Sequence, residues 1–231
     1  DLFRNLGDEP GRAGAIEAMG TLAAGIDDPA LDADLAIRRT VAEFEGGRYE
    51  AALAIAQEAR ATLRGRIDEV ADAALLLEIG ATCTALGRLD EARTCLATAI
   101  ERFRGVAPLK AANCAYWLAR CAIERGDLDA ARAHGEEALA MTGRVGHRRG
   151  HALTLSPLAD VAKRQGESER ARELLGDAVR EAREIGSVPL LRGFVAELVM
   201  HCRERGDEAE AARWQRELDD GVRGTSRFSE S

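Results

Sequence analysis

The sequence predicts an all-α fold, a right-handed α-solenoid of antiparallel helix pairs, on three observations. A short glycine-led stretch recurs at a fixed distance: Gly47-Arg-Tyr-Glu-Ala-Ala52, Gly87-Arg-Leu-Asp-Glu-Ala92, Gly126-Asp-Leu-Asp-Ala-Ala131, Gly166-Glu-Ser-Glu-Arg-Ala171 and Gly206-Asp-Glu-Ala-Glu-Ala211, with glycines 40, 39, 40 and 40 residues apart. A single-core domain has no reason to keep such a period, whereas stacked units that bury their apolar faces on one another must keep it. Hydrophobic residues make up 46% of the 231-residue chain but aromatic ones only 4%, so the apolar content is mainly the helix formers Ala and Leu. Apolar and small residues then follow helical spacing between the glycines.

The phase divides the chain. Residues 1–30 read as a lead-in and the leftover second helix of a truncated repeat, with Ala13, Ile16, Met19 and Ala23 on one face and Pro10 in the first turn, where its missing N–H costs little. Asp27-Asp28-Pro29 marks a turn, with Asp28 or Asp32 as the cap of the next helix. Five helix pairs follow over 31–64, 67–104, 107–144, 149–185 and 188–221. In each, the phased glycine closes the first helix and an acid shortly after it favours the positive start of the second. The polar helix around Trp214 and Gln215 suits a terminal cap, and 222–231 carries no periodicity and reads as a disordered tail.

Within the second helices, Ala52, Ala92, Ala131 and Ala171 are each followed seven residues later by Ala59, Ala99, Ala138 and Ala178. Two turns apart, these small side chains form one stripe that permits close helix approach. In the first helices the packing stripe is Leu76, Ile79, Gly80 and Cys83, then Ala115, Leu118 and Ala119, with counterparts Leu155, Leu158, Ala159 and Ala162, and Val195, Leu198, Val199 and Cys202.

Those residues resemble the tetratricopeptide repeat, whose signature places Leu-Gly in the first helix, then Ala, a bulky residue and Pro. Ile79-Gly80, Ala92, Leu96, Ala99 and Pro108 reproduce it best, followed by Leu158-Ala159, Ala171, Leu175, Ala178 and Pro189. The period of ~40 exceeds the ~34 residues of that family by about one extra turn per pair, distributed over both helices, and the family's Trp and Tyr of the first helix are mostly aliphatic or Cys here. Long Ala-, Leu- and Arg-rich repeats of this style are similar to the C-terminal arrays of bacterial nucleotide-switch regulators, including maltose-activator-like transcription factors and related multidomain kinases. That resemblance implies an array that senses an inducer or a partner on behalf of other domains of a longer parent chain.

The formal charge of -8 argues against direct nucleic-acid contact. Five cysteines with no signal peptide imply reduced thiols and a cytoplasmic protein, and no apolar run is long enough to span a bilayer. His147 and His151 stand four apart, but intervening arginines and the want of a third ligand speak against a metal. The glycine-rich stretch around them lacks the Gly-Lys-Ser/Thr ending of a phosphate-binding loop. Ser156-Pro157 falls where a helix interior is expected, so Pro157 either kinks that helix or marks a late start capped by Ser156. With no nucleophile elbow, Cys-x-x-Cys pair or paired acids in an apolar setting, no catalysis and no cofactor are expected.

The helical period also predicts an inner, concave face on the first helices, where Asn113, Tyr116, Trp117 and Arg120, then Asp160 and Lys163, then Arg203 combine aromatic area with directional polar groups. Tyr116 and Trp117 serve equally well as packing residues standing in for the family aromatics. These seven residues are the expected contacts for a protein or peptide partner or a small-molecule inducer. The rival expectation is a passive scaffold that self-associates through an apolar edge around Ile16, Met19 and Leu22.

Overall fold

A computed structural model describes residues 9–226, with side chains described over 14–217. The described residues form eleven α-helices: α1 (Glu9–Ala23), α2 (Pro29–Glu45), α3 (Tyr49–Thr62), α4 (Glu69–Ala85), α5 (Leu89–Phe103), α6 (Pro108–Arg125), α7 (Leu128–Arg144), α8 (Arg148–Arg164), α9 (Ser168–Ile185), α10 (Val188–Glu204) and α11 (Glu208–Ser226). They fall into two compact units, the chain dividing between Val145 and Gly146. The first holds α1–α7 and the second α8–α11. Helix α11 extends into the segment read as a tail because nothing in 222–226 interrupts it, neither a proline nor a positive-φ glycine. Residues 1–8 and 227–231 lie outside the described residues.

The turn inside each pair is built the same way. In α4–α5 the N–H of Gly87 bonds to the carbonyl of Thr84 at 3.1 Å and the N–H of Arg88 to that of Cys83 at 2.8 Å, the two bonds that end a helix on a left-handed residue. Gly87 has φ +72°, a conformation that strains any residue with a Cβ. The Arg88 carbonyl then accepts the N–H of Ala92 at 3.0 Å, the first bond of α5. One residue thus closes one helix and opens the next. Asp127, Glu167 and Asp207 do the same at their turns, bonding back to Ala122, Ala162 and Cys202 and forward to Ala131, Ala171 and Ala211. Those alanines are fully buried. A second glycine series, Gly25, Gly65, Gly105, Gly146 and Gly186, supplies positive φ at the turns between pairs.

Capping follows from local sequence. Asp28 accepts from the N–H groups of Ala30 and Leu31 at 3.0 and 3.3 Å, ahead of Pro29 in the first turn of α2. Asp68, Asp127 and Asp207 cap α4, α7 and α11 through the N–H groups of Ala71, Ala130 and Glu210.

In the first unit α4 is central, with every residue from Ala73 to Thr84 buried. It packs against α5 within its pair and touches α2 and α6 on either side, so the first helices form a continuous layer. The core joins Leu76, Leu77, Leu96, Ile100, Phe103 and Leu118 with the small residues Ala99, Ala115 and Ala138. The small stripe departs from its expected register once: in α3 Ala56 is fully buried, while Ala59 is half-buried on a cavity of about 420 Å³ between α2 and α3. Ion pairs join successive repeats, with Arg88 reaching Glu50 at 3.0 Å and Arg125 reaching Asp90 at 2.5 Å. Being exposed, such pairs contribute about 0–1 kcal/mol each and act mainly on register.

In the second unit, Leu155, Leu158, Leu175, Val179, Phe194, Val195 and Leu198 make the core. Helix α8 runs unbroken through Pro157, so the late start proposed for Ser156 does not occur. The Ser156 hydroxyl instead donates to Glu197 Oε2 of α10 at 2.8 Å, and Arg205 pairs with Glu169. Pro157 has no N–H to give the Leu153 carbonyl, so α8 lacks one backbone bond at that turn.

Candidate ligand-binding face

Asn113, Tyr116, Trp117 and Arg120 stand at i, i+3, i+4 and i+7 of α6 and so form one stripe. The aromatic members are interior, Tyr116 at 7% and Trp117 at 9% exposure. Trp117 meets Phe44 of α2 edge-on at 5.6 Å between centroids and Tyr116 at 5.4 Å, so the three rings form a connected shelf. Phe44 also meets Tyr49 in a tilted pair at 5.1 Å. The contact between α6 and α2 spans α4, whose inner residues Leu77, Glu78, Ala81 and Thr84 are buried.

Arg120 is the exposed end of the stripe. Its guanidinium lies 5.5 Å from the Trp117 ring, and its Nη1 donates to the Tyr116 hydroxyl at 3.4 Å. Together the two contacts hold the planar guanidinium against the aromatic shelf. At the other end Asn113 is only 4% exposed, and its Oδ1 is buried with no hydrogen-bond partner. A buried amide oxygen left unpaired costs about 1–3 kcal/mol, and such groups are rare in folded chains.

In the second unit Asp160 is half-buried and pairs with Arg164 at 3.2 Å, one turn away on α8. Lys163 is half-buried. Arg203 is exposed on α10, 3.7 Å from Glu208. The Ser156–Glu197 bond joins the faces of α8 and α10 that carry these residues. Exposed Met200 lies between Glu197 and Arg203 in sequence. Each group is thus ordered within its own unit.

Of the paired histidines, His147 is otherwise engaged. His147 Nδ1 accepts the N–H of Gly150 at 3.0 Å and caps α8, and burial lowers its pKa. His151 Nδ1 lies 3.3 Å from Glu181 Oε1. Among the described residues no group of three His, Cys, Asp or Glu is arranged to hold a metal ion, and no described helix is long and apolar enough to cross a membrane.

Phe44 escaped the sequence reading. It stands three residues before Gly47, where Thr84 and Ile123 stand before Gly87 and Gly126, and that position alone marks packing, not a partner 73 residues away. A cavity of about 610 Å³ between α3 and α5 also went unforeseen.

Antiparallel helix pairs joined by left-handed glycines, with small residues at the seams, define a helical-repeat protein. The sequence matches the description "Tetratricopeptide repeat" over residues 69–142 and again over 110–184, and the chain belongs to that family. No curated protein matches it. Among solved structures it is similar to BtubC (BKLC) from P. vanneervenii, with TM-score 0.70 and 15% identity over 94% of this chain and 91% of the other. It also resembles a Rap protein complexed with competence and sporulation factor, with TM-score 0.79 and 13% identity over 97% of this chain and 61% of the other. The Rap conjugation gene regulator of plasmid pLS20, solved with the Phr* peptide, gives TM-score 0.68 and 19% identity over 86% and 55%. The chain therefore spans less than two thirds of the length of either Rap protein.

Proposed function

We propose that this is a non-catalytic binding domain that takes an extended peptide segment on the inner face of its first helices. On this reading it is the sensing or interaction part of a larger bacterial signalling or transcription regulator. The observation that carries the reading is Asn113, whose buried Oδ1 has no partner at the edge of the Phe44–Tyr116–Trp117 shelf. An extended backbone offers both N–H and C=O, so it satisfies the amide whichever way the side chain is turned. Arg120, stacked on Trp117, then pairs with an acidic side chain or terminal carboxylate of the ligand. Asp160, Lys163 and Arg203 are proposed contacts in the second unit. The Rap proteins solved with a factor or a peptide support the class of ligand by likeness of fold.

The test is titration of an array of extended acidic peptides into the purified chain, with Asn113→Ala and Arg120→Gln as probes. Trp117→Ala is unsuitable, because emptying that interior position costs about 3–5 kcal/mol of stability. A peptide whose affinity falls about tenfold in both variants supports the site. Tight binding indifferent to both removes it.

A second reading has its own observation: Leu22 is 78% exposed on α1 and Ile26 is exposed just beyond it. An apolar edge of this kind suits self-association, which makes the domain a passive scaffold. Sedimentation across a concentration series distinguishes the two, since a scaffold acting through this edge shifts to dimer and Leu22→Glu abolishes the shift.

A further inference from the structure

The second helices α3 and α5 make little direct contact, unlike the first helices beside them. Between them lies the cavity of about 610 Å³, floored by α4. Two polar bridges cross it. At one end Gln57 Nε2 donates to Glu91 Oε1 at 3.1 Å. At the other, Arg60 of α3 and Arg102 of α5 share the Asp72 carboxylate of α4, with Arg60 Nε at 2.7 Å. Ala61, Ile79 and Cys95 line the space between and give it an apolar patch within otherwise mostly polar walls.

The two ends differ in what they offer. One carboxylate serves two guanidiniums, and Arg102 reaches it through Nη1 alone, so donors remain on that side chain. Arg64, on the wall of the same end, has no ion-pair partner among the described residues. Asp68 and Glu69 sit on the exposed rim there, Asp68 being committed to the cap of α4. The far end presents Glu91. Gln57 lies on α3 and Arg64 two residues beyond its end, seven residues on, which places the ends about 10 Å from one another.

We propose that this cavity is a second ligand site, for a short zwitterionic peptide. The carboxylate of the ligand is taken by Arg60, Arg64 and Arg102, its amino group by Glu91, and its backbone lies over Ile79 and Cys95. A span of about 10 Å corresponds to about three extended residues, and the volume falls within the ~300–1,000 Å³ of small-ligand pockets. None of the α6 stripe residues lines this cavity, so the site stands independently of the inner face.

The experiment is calorimetric titration of the whole chain with trialanine, its C-terminal amide and its N-acetyl derivative. Saturable binding of trialanine is expected, weakened about tenfold by either modification, since each removes one charged contact. Arg64→Gln is expected to weaken trialanine similarly without changing the midpoint of the unliganded chain. Glu91→Gln is expected to erase the preference for the free amine, and Asn113→Ala to leave all three titrations unchanged. Absence of saturable binding overturns the proposal. So does indifference to amidation, or full affinity in Arg64→Gln. Loss of trialanine binding in Asn113→Ala relocates the ligand to the inner face and overturns it as well.

Discussion

Gly80 and Leu96 meet where α4 crosses α5, so closely that a Cβ on the glycine would lie 2.5 Å from Leu96 Cγ and 3.2 Å from the carbonyl oxygen of Ala92. The pair explains why a glycine, the poorest ordinary helix former, sits within the buried stretch of α4.

Gly80→Ala is expected to destabilise the chain by about 1–3 kcal/mol through overpacking, despite the better helix propensity of alanine. Chemical denaturation measures it. Adding Leu96→Ala relieves the side-chain clash but not the contact with the Ala92 carbonyl, so the double variant is expected to lose less than the sum of the two single changes.

Glycines of two kinds respond oppositely to the same substitution. Gly87→Ala places a Cβ at φ +72° and is expected to cost about 1–2 kcal/mol. Gly193→Ala, inside α10 with open space around the added methyl, is expected to stabilise by about 0.5–1 kcal/mol. Thermal melts of the two variants beside wild type settle the contrast.

Asn113→Leu removes a buried amide oxygen that has no partner and keeps the volume. Stability is expected to rise by about 1 kcal/mol, while binding of any peptide that uses Asn113 weakens. A variant that melts lower and binds as well as wild type contradicts both the orphaned oxygen and its role.

Asp72 is 22% exposed; burial raises its pKa, but hydrogen bonds from Arg60 and Arg102 outweigh that and hold it below the usual value of 3.8. A depressed folded-state pKa contributes stability that is complete above the unfolded value and declines as pH falls through the folded one. Asp72→Asn is therefore expected to be less stable than wild type at neutral pH. The gap narrows below about pH 4 and closes in stronger acid. A gap constant with pH refutes the assignment.

Thiol reactivity tests burial directly. Burial, helped by Glu91, pushes Cys83 up to about 12, and burial raises Cys114 further still. Cys95, half-buried on the α3–α5 cavity and also raised, is expected to label first in the native chain, with Cys83 and Cys114 labelling only on unfolding. Time-resolved alkylation read by mass spectrometry gives the order.

The period of Gly47, Gly87, Gly126, Gly166 and Gly206 was enough to read the turn inside each pair, because that geometry depends on a few adjacent residues. The i, i+3, i+4, i+7 pattern likewise identified one face of α6. What lies across that face was not legible: Trp117 reaches over α4 to Phe44, a pairing decided by the stacking of three helices. The α3–α5 cavity escaped for a similar reason. Arg60, Asp72 and Arg102 each look like solvated helix charges until α4 brings them together. The second glycine series was present in the sequence at spacings of 40, 40, 41 and 40, and its regularity carried the same information as the first.

Arg88, which ends α4 with its N–H and begins α5 with its carbonyl, leaves no slack between the two helices. One residue inserted there would advance α5 by about 100° about its axis, turning Ala92 out of the seam and a bulkier neighbour into it. The same holds at Asp127, Glu167 and Asp207. Such an array lengthens or shortens only by whole repeats, and its internal turns behave like a reading frame: a single-residue slip is felt by everything that follows in the pair.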